Sequence, residues 1–237
     1  MQVIAQLFGR ILGATGPLLG ETGGSYLPSR PCVYVVPQMQ RIGEVIEAST
    51  TRFTAGAYEL LEAPSFGALV RAVTREPTLE VYGLVYEIRT SSKDPGGRAL
   101  VRGRTYSGRE LFDEEIYAEH PDLAEVLQTE FSALTVGYVA DGQICHYLPP
   151  QPPPVHYSVY AATAAEMIRF SEVTSFFRGV LFAAQIPGDE LLAASIRGFA
   201  RVRPDGEPYL LRAGREVAGL LKDDYDRLTA LLRRIRP

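Results

Sequence analysis

The sequence predicts an α+β protein: a small antiparallel β-barrel with a helical insertion, followed by a C-terminal helical domain. Three observations carry this. From Ile42 to Thr90, short apolar and β-branched runs are separated by turn signals at 8–12-residue spacing. Asp141-Gly142 stands between two further apolar runs and marks a hairpin turn. From Thr163 onward, apolar residues recur every three to four positions instead. The expected division is a leader or extra strand at 1–41, the barrel at 42–150, a proline-rich connector at 151–162 and the helical domain at 163–237.

Composition narrows the function classes. Hydrophobic residues make up 46% and charged residues 22% of the 237, ordinary for a globular protein. A net charge of −4 gives no global pull toward nucleic acid. Cys32 and Cys145 match no metal or redox spacing. No apolar run approaches a membrane span, and Arg10 interrupts the apolar N-terminus, so the expectation is a cytoplasmic protein with no membrane partner.

Within 1–41, the Gly-rich segment 13–24 lacks the Lys-Ser/Thr pair that a phosphate loop needs, and no GK[ST] occurs anywhere. Val33–Val36 reads as an additional strand. Barrel strands are expected at about 43–48, 57–62, 67–74 and 80–90, with turns at Ala55-Gly56, Ala63-Pro64-Ser65 and Glu76-Pro77. Gly67 and Gly83 read as bends or close backbone approaches.

These phrases resemble the HAS-barrel, the β-barrel shared by HerA-type DNA translocases and ATP synthase subunits. The resemblance rests on Gly43-Glu44-Val45-Ile46 with Ser49-Thr50-Thr51, on Pro64 through Gly67 to Val70, on Gly83-Leu84, and on the late Leu148–Pro154 stretch. It runs from about Ile42 to Ala165. In HerA-type proteins an ATPase follows the barrel, and the barrels form a ring that docks the nuclease NurA. Here helices follow and no P-loop exists, so ATP hydrolysis is not implied and no cofactor is expected. The resemblance implies a non-enzymatic adaptor of a DNA-processing or repair system, whose partner is a HerA-type translocase, an associated nuclease, or a second copy of itself.

Two alternatives follow from other residues. Residues 89–109 hold Arg89, Lys93, Arg98, Arg102, Arg104 and Arg109 against one acid, Asp94, among several glycines. Lys93, Arg98, Arg102, Arg104 and Arg109 are the candidate phosphate-backbone contacts of an oligomeric DNA-binding protein. A metal-dependent nuclease needs convergent carboxylates. Its candidates are Asp223, Asp224 and Asp226, which helix capping explains better, with Asp223 as the cap. Glu115, Glu119 and His120 have partial metal-site spacing, but Pro121 interrupts the helix. No metal is expected at either.

The remaining elements read as follows. A helix covers 107–130, opened by a Ser107–Glu110 capping box and restarted at Asp122. The hairpin 131–148 closes the barrel. The Pro149–Pro154 stretch is polyproline II, either a rigid arm or a strap. His146 and His156 flank it without a third ligand. Thr163–Glu166 caps a helix running through Met167, Phe170, Val173, Phe177, Val180 and Ala184. Turns at Pro187-Gly188-Asp189 and Pro204-Asp205-Gly206 separate later helices. The exposed barrel edge and the polyproline strap are the expected contact surfaces.

Overall fold

The structure, a computed structural model, describes residues 40–94 and 96–235. Expectations for 1–41 therefore lie outside the described residues, except at Gln40 and Arg41. Among the described residues seven strands form: β1 (Arg41–Ala48), β2 (Arg52–Ala57), β3 (Leu69–Val73), β4 (Leu79–Ser92), β5 (Leu127–Ala140), β6 (Gln143–Cys145) and β7 (Ser158–Ala161). Six of them close into an antiparallel barrel in the cyclic order β1-β2-β5-β4-β3-β7. β6 extends β5 through the Asp141-Gly142 turn, where both residues have positive φ, 47° and 77°, as a type I′ turn requires.

The barrel interior is filled, not hollow. Phe53 and Phe131 meet Val45, Val70, Val81, Val85 and Val159, with Ala55, Ala72 and Ala133 where strands leave less room. Burying each Val or Phe side chain contributes on the order of 1.5–3 kcal/mol. The run Val81-Tyr-Gly-Leu-Val85 is buried throughout. Val81 and Val85 enter the barrel, while Tyr82 and Leu84 face the C-terminal helices. That two-sided cover is why the sequence shows a continuous apolar run and not an alternation.

Five helices form the C-terminal part: α3 (Ala164–Phe170), α4 (Phe177–Leu181), α5 (Gly188–Val202), α6 (Gly206–Leu220) and α7 (Tyr225–Ile235). The insertion between β4 and β5 holds α1 (Glu114–Glu119) and α2 (Leu123–Val126). Thr163 caps α3 with the expected box: its Oγ1 accepts from Glu166 N, and Glu166 Oε2 accepts from Thr163 N. The helices share one core with the outer barrel face at Leu69, Tyr82, Leu84 and Val136. Tyr82 stacks on Phe170 at 5.2 Å between ring centroids. Gly67, at φ 82°, lies so close to Ala194 and Ser195 of α5 that a Cβ there would collide with them; it marks a barrel–helix approach.

Several expectations are corrected. The strand at 57–62 is instead β2, ending at Ala57. Ala55-Gly56 is no turn, because Gly56 pairs with Glu44 beside Gly43, whose own missing Cβ makes room for the Gly56 carbonyl. Of the 131–148 hairpin, β5 joins the ring by pairing with β2 and β4, while β6 lies outside it, so the hairpin alone does not close the barrel. β7 does, within the expected connector 151–162, by pairing with both β1 and β3. The closed ring itself has no free edge; the described residues with one-sided pairing are β6 and the parts of β4 and β5 that run past the ring. The polyproline stretch runs along the barrel as a strap: Pro153 is buried, Pro150–Val155 line a crevice together with Ala48, Thr74 and Leu79, and His156 N donates to the Val45 carbonyl.

The expected helix 107–130 is two short helices preceded by a turn. Arg104 bridges Glu110, and Arg109 N bonds to Thr105 Oγ1, which occupies the backbone that a Ser107 cap would start. The helix through Ala184 breaks after Phe170 into α3 and α4, because Ser171 Oγ turns back to the Met167 carbonyl. Asp224, not Asp223, caps α7: its Oδ1 accepts from Arg227 N at 3.0 Å.

Candidate interaction surface

The insertion grows from the far end of the β4–β5 ladder. Their pairing continues to Ser92↔Leu127, past the last β2 partner of β5 at Glu130. Thr90 and Thr129 hydroxyls bond across the ladder at 2.9 Å, and Lys93 N donates to the Val126 carbonyl. The insertion is thus held on a firm two-stranded stem.

Its basic residues are mostly engaged locally. Arg102 pairs with Asp122 at 3.3 Å and reaches His120 Nδ1 at 3.5 Å. Arg104 pairs with Glu110 at 3.1 Å, and Arg109 with Glu119 at 3.2 Å. Lys93 Nζ donates to the Ala124 carbonyl. Arg98 is exposed and makes no ion pair among the described residues. Such exposed pairs contribute about 0–1 kcal/mol each and would open for a strong competitor. The field is the larger matter. Residues 93–125 carry five Lys and Arg against eight Asp and Glu, so the folded insertion presents an acidic surface.

Asp122 precedes α2 but makes no side-chain cap; Arg102 holds its carboxylate instead. Glu115 turns back to Phe112 N, and Glu119 is taken by Arg109. Asp224 caps α7. Among the described residues, no group of three or more His, Cys, Asp and Glu converges as a metal site. His146 and His156 separate: His146 Nε2 lies 3.1 Å from the Phe170 carbonyl, and His156 pairs with Glu44. Burial holds the His146 imidazole below its ordinary pKa, against the opposing pull of the Phe170 carbonyl.

The sequence reasoning missed the insertion's apolar side chains. Leu100, Val101 and Phe112 are 78%, 98% and 64% exposed, and Tyr106 is fully exposed. Only Leu111 and Leu123 of its large apolar residues are buried. Several large apolar side chains left exposed within one polar insertion are a usual mark of a contact surface. The available signal was Leu100-Val101 inside a Gly- and Arg-rich loop, where no core periodicity calls for them.

A second polar cluster has a structural explanation. Arg71, 5% exposed, pairs with Glu80 and with Glu166 Oε1, and its guanidinium lies 4.9 Å from the Tyr160 ring centroid. Tyr82 donates to Glu166 Oε1 at 3.1 Å. Burial, then the carboxylate of Glu166, pushes the Tyr82 hydroxyl well above its usual pKa. This network joins β3, β4 and α3.

Residues 42–141 match the family profile of the HAS barrel domain. A comparison with curated proteins gave no match. The matched range spans β1 to β5 with the insertion, and stops before β7.

Proposed function

We propose, from the match of residues 42–141 to the HAS barrel domain, that this protein is a non-enzymatic accessory of a HerA-type DNA-processing or repair system and acts through protein–protein contacts. The observation that carries the contact reading is the exposed apolar group of the insertion, Leu100, Val101 and Phe112. Closure of the barrel turns attention away from strand addition at an edge and toward side-chain contacts. The occupant proposed for this surface is a HerA-type translocase or its associated nuclease.

Direct binding of DNA by an oligomer is the weaker reading. Arg102, Arg104 and Arg109 are paired with acids, and the insertion as a whole is negative. The metal-dependent nuclease reading has no carboxylate set behind it among the described residues.

The test is light scattering coupled to gel filtration of the full chain, alone, with short duplex DNA, and with a HerA-type translocase. Co-elution with the translocase, lost in the V101S/F112S variant, is expected. A DNA shift with a salt slope that Arg98→Ala and Arg104→Ala flatten would replace this reading with the DNA-binding one. Failure of the translocase to co-elute would overturn the proposal.

A further inference from the structure

Between barrel and helices lies a crevice of about 640 Å³, within the size range of small-molecule sites. It is formed by the β1–β2 turn, the β5–β6 region, and α4 with the segment after it. Its wall is apolar, built by Leu134, Val136, Phe176, Val180 and Ile186. Among the described residues that line it, Arg52 is the one full cation and there is no carboxylate. That contrasts with the neighbouring crevices, which contain Glu76, Glu59 with Glu62, or Glu80 with Glu166. In a chain with more acids than bases, a lining free of acids is a distinct electrostatic choice.

Arg52 is exposed and makes no ion pair among the described residues. Beside it, Ser49 and Thr51 hydroxyls bond each other at 3.2 Å. Deeper in the wall, Thr135 is 6% exposed and its Oγ1 has no hydrogen-bond partner. His146 donates through Nε2 to the Phe170 carbonyl, which leaves Nδ1 as an acceptor. An apolar wall with one guanidinium that has no ion pair among the described residues, and a few hydroxyls, matches one ligand chemistry. We infer that the crevice binds a small amphipathic organic anion, with its apolar body against α4 and its carboxylate or sulfonate on Arg52.

The experiment is a fluorescence titration of the full chain with two probes of similar shape. 8-Anilinonaphthalene-1-sulfonate carries the anion; N-phenyl-1-naphthylamine lacks it. Two variants divide the site. Arg52→Gln removes the cation at the exposed first residue of β2. Gly179→Leu projects a side chain from α4 into space where an added Cβ meets no atom within 4 Å, and it replaces a helix glycine with a better helix former. Unchanged melting temperatures without probe establish that both variants fold.

The expected result is saturable binding of both probes by the parent chain, with decanoate displacing the sulfonate. Arg52→Gln weakens the sulfonate about tenfold, the scale of one charge-assisted contact, and leaves the neutral probe unchanged. Gly179→Leu weakens both by at least as much. Absence of saturation would overturn the inference, as would equal binding by the parent and both variants. Neither result bears on translocase co-elution, so the two readings fail independently.

Discussion

Two helical regions are attached to the same barrel, and they are attached in different ways. The C-terminal helices share a core with it. Phe170, Phe176, Leu191, Ile196 and Phe199 join Leu69, Tyr82, Leu84 and Val136 in one cluster, and the Arg71–Glu166–Tyr82 network crosses the same seam. The insertion has no such seam. It hangs on the ends of β4 and β5, buries Leu111 and Leu123, and leaves Val101 and Phe112 in solvent. The first region is consumed by stability. The second holds apolar surface in reserve, which is what a contact surface needs before its partner arrives.

Four variants break or sharpen that contrast. The largest effect is expected at the seam. Phe170 is 1% exposed, stacks on Tyr82 and meets His146 at 4.7 Å between centroids. Phe170→Ala should cost about 3–5 kcal/mol in urea unfolding; a loss under about 1 kcal/mol would mean the helices do not depend on the barrel. Next comes Glu166→Ala. It removes the acceptor for Thr163 N, Thr163 Oγ1 and Tyr82 Oη, together with an ion-pair partner of Arg71. The expected loss is about 2 kcal/mol, from one helix cap and one buried network, read from the same unfolding curves.

A smaller, pH-dependent effect belongs to His146. Its folded pKa is depressed by burial, so the unfolded chain takes up its proton first as pH falls. Stability should decline as pH drops through the ordinary histidine value of about 6.5 and level off below the folded value. His146→Gln should flatten that part of a melting-temperature profile; an unaltered slope would assign it to other groups. The smallest effect is expected in the insertion. V101S/F112S should shift stability by no more than about 0.5 kcal/mol, as exposed substitutions do, while abolishing translocase co-elution. A large destabilisation would show that these residues serve the fold after all.

How much of this was legible depended on distance along the chain. The Asp141-Gly142 turn and the Thr163–Glu166 box were readable because each is set by residues at most three apart. The two-sided burial of Val81–Val85 showed in its unbroken apolar run. β7 was not readable. Its four residues follow a proline stretch and become a strand only through β1 and β3, partners that no local pattern announces. Ala55-Gly56 misled for a related reason. Glycine there lets two strands approach, and from sequence that need is indistinguishable from a turn. The cations of the insertion were visible; that Asp122, Glu110 and Glu119 would meet them was not, since the pairing depends on how α1 and the turn before it fold back.

Closure of the ring by β7 has a consequence for how variants of this protein would fail. A sheet with a long bare rim invites foreign strands, and its damaged forms tend toward fibrils. Here the six strands close a ring, and among the described residues the open backbone edges are the three-residue β6 and the two-stranded β4–β5 stem beyond the ring. Stickiness must therefore be encoded residue by residue on the outside. Natural drift in Leu100, Val101 or Phe112 would change which neighbour is chosen, or release the protein as a free particle, while the ring itself stays closed.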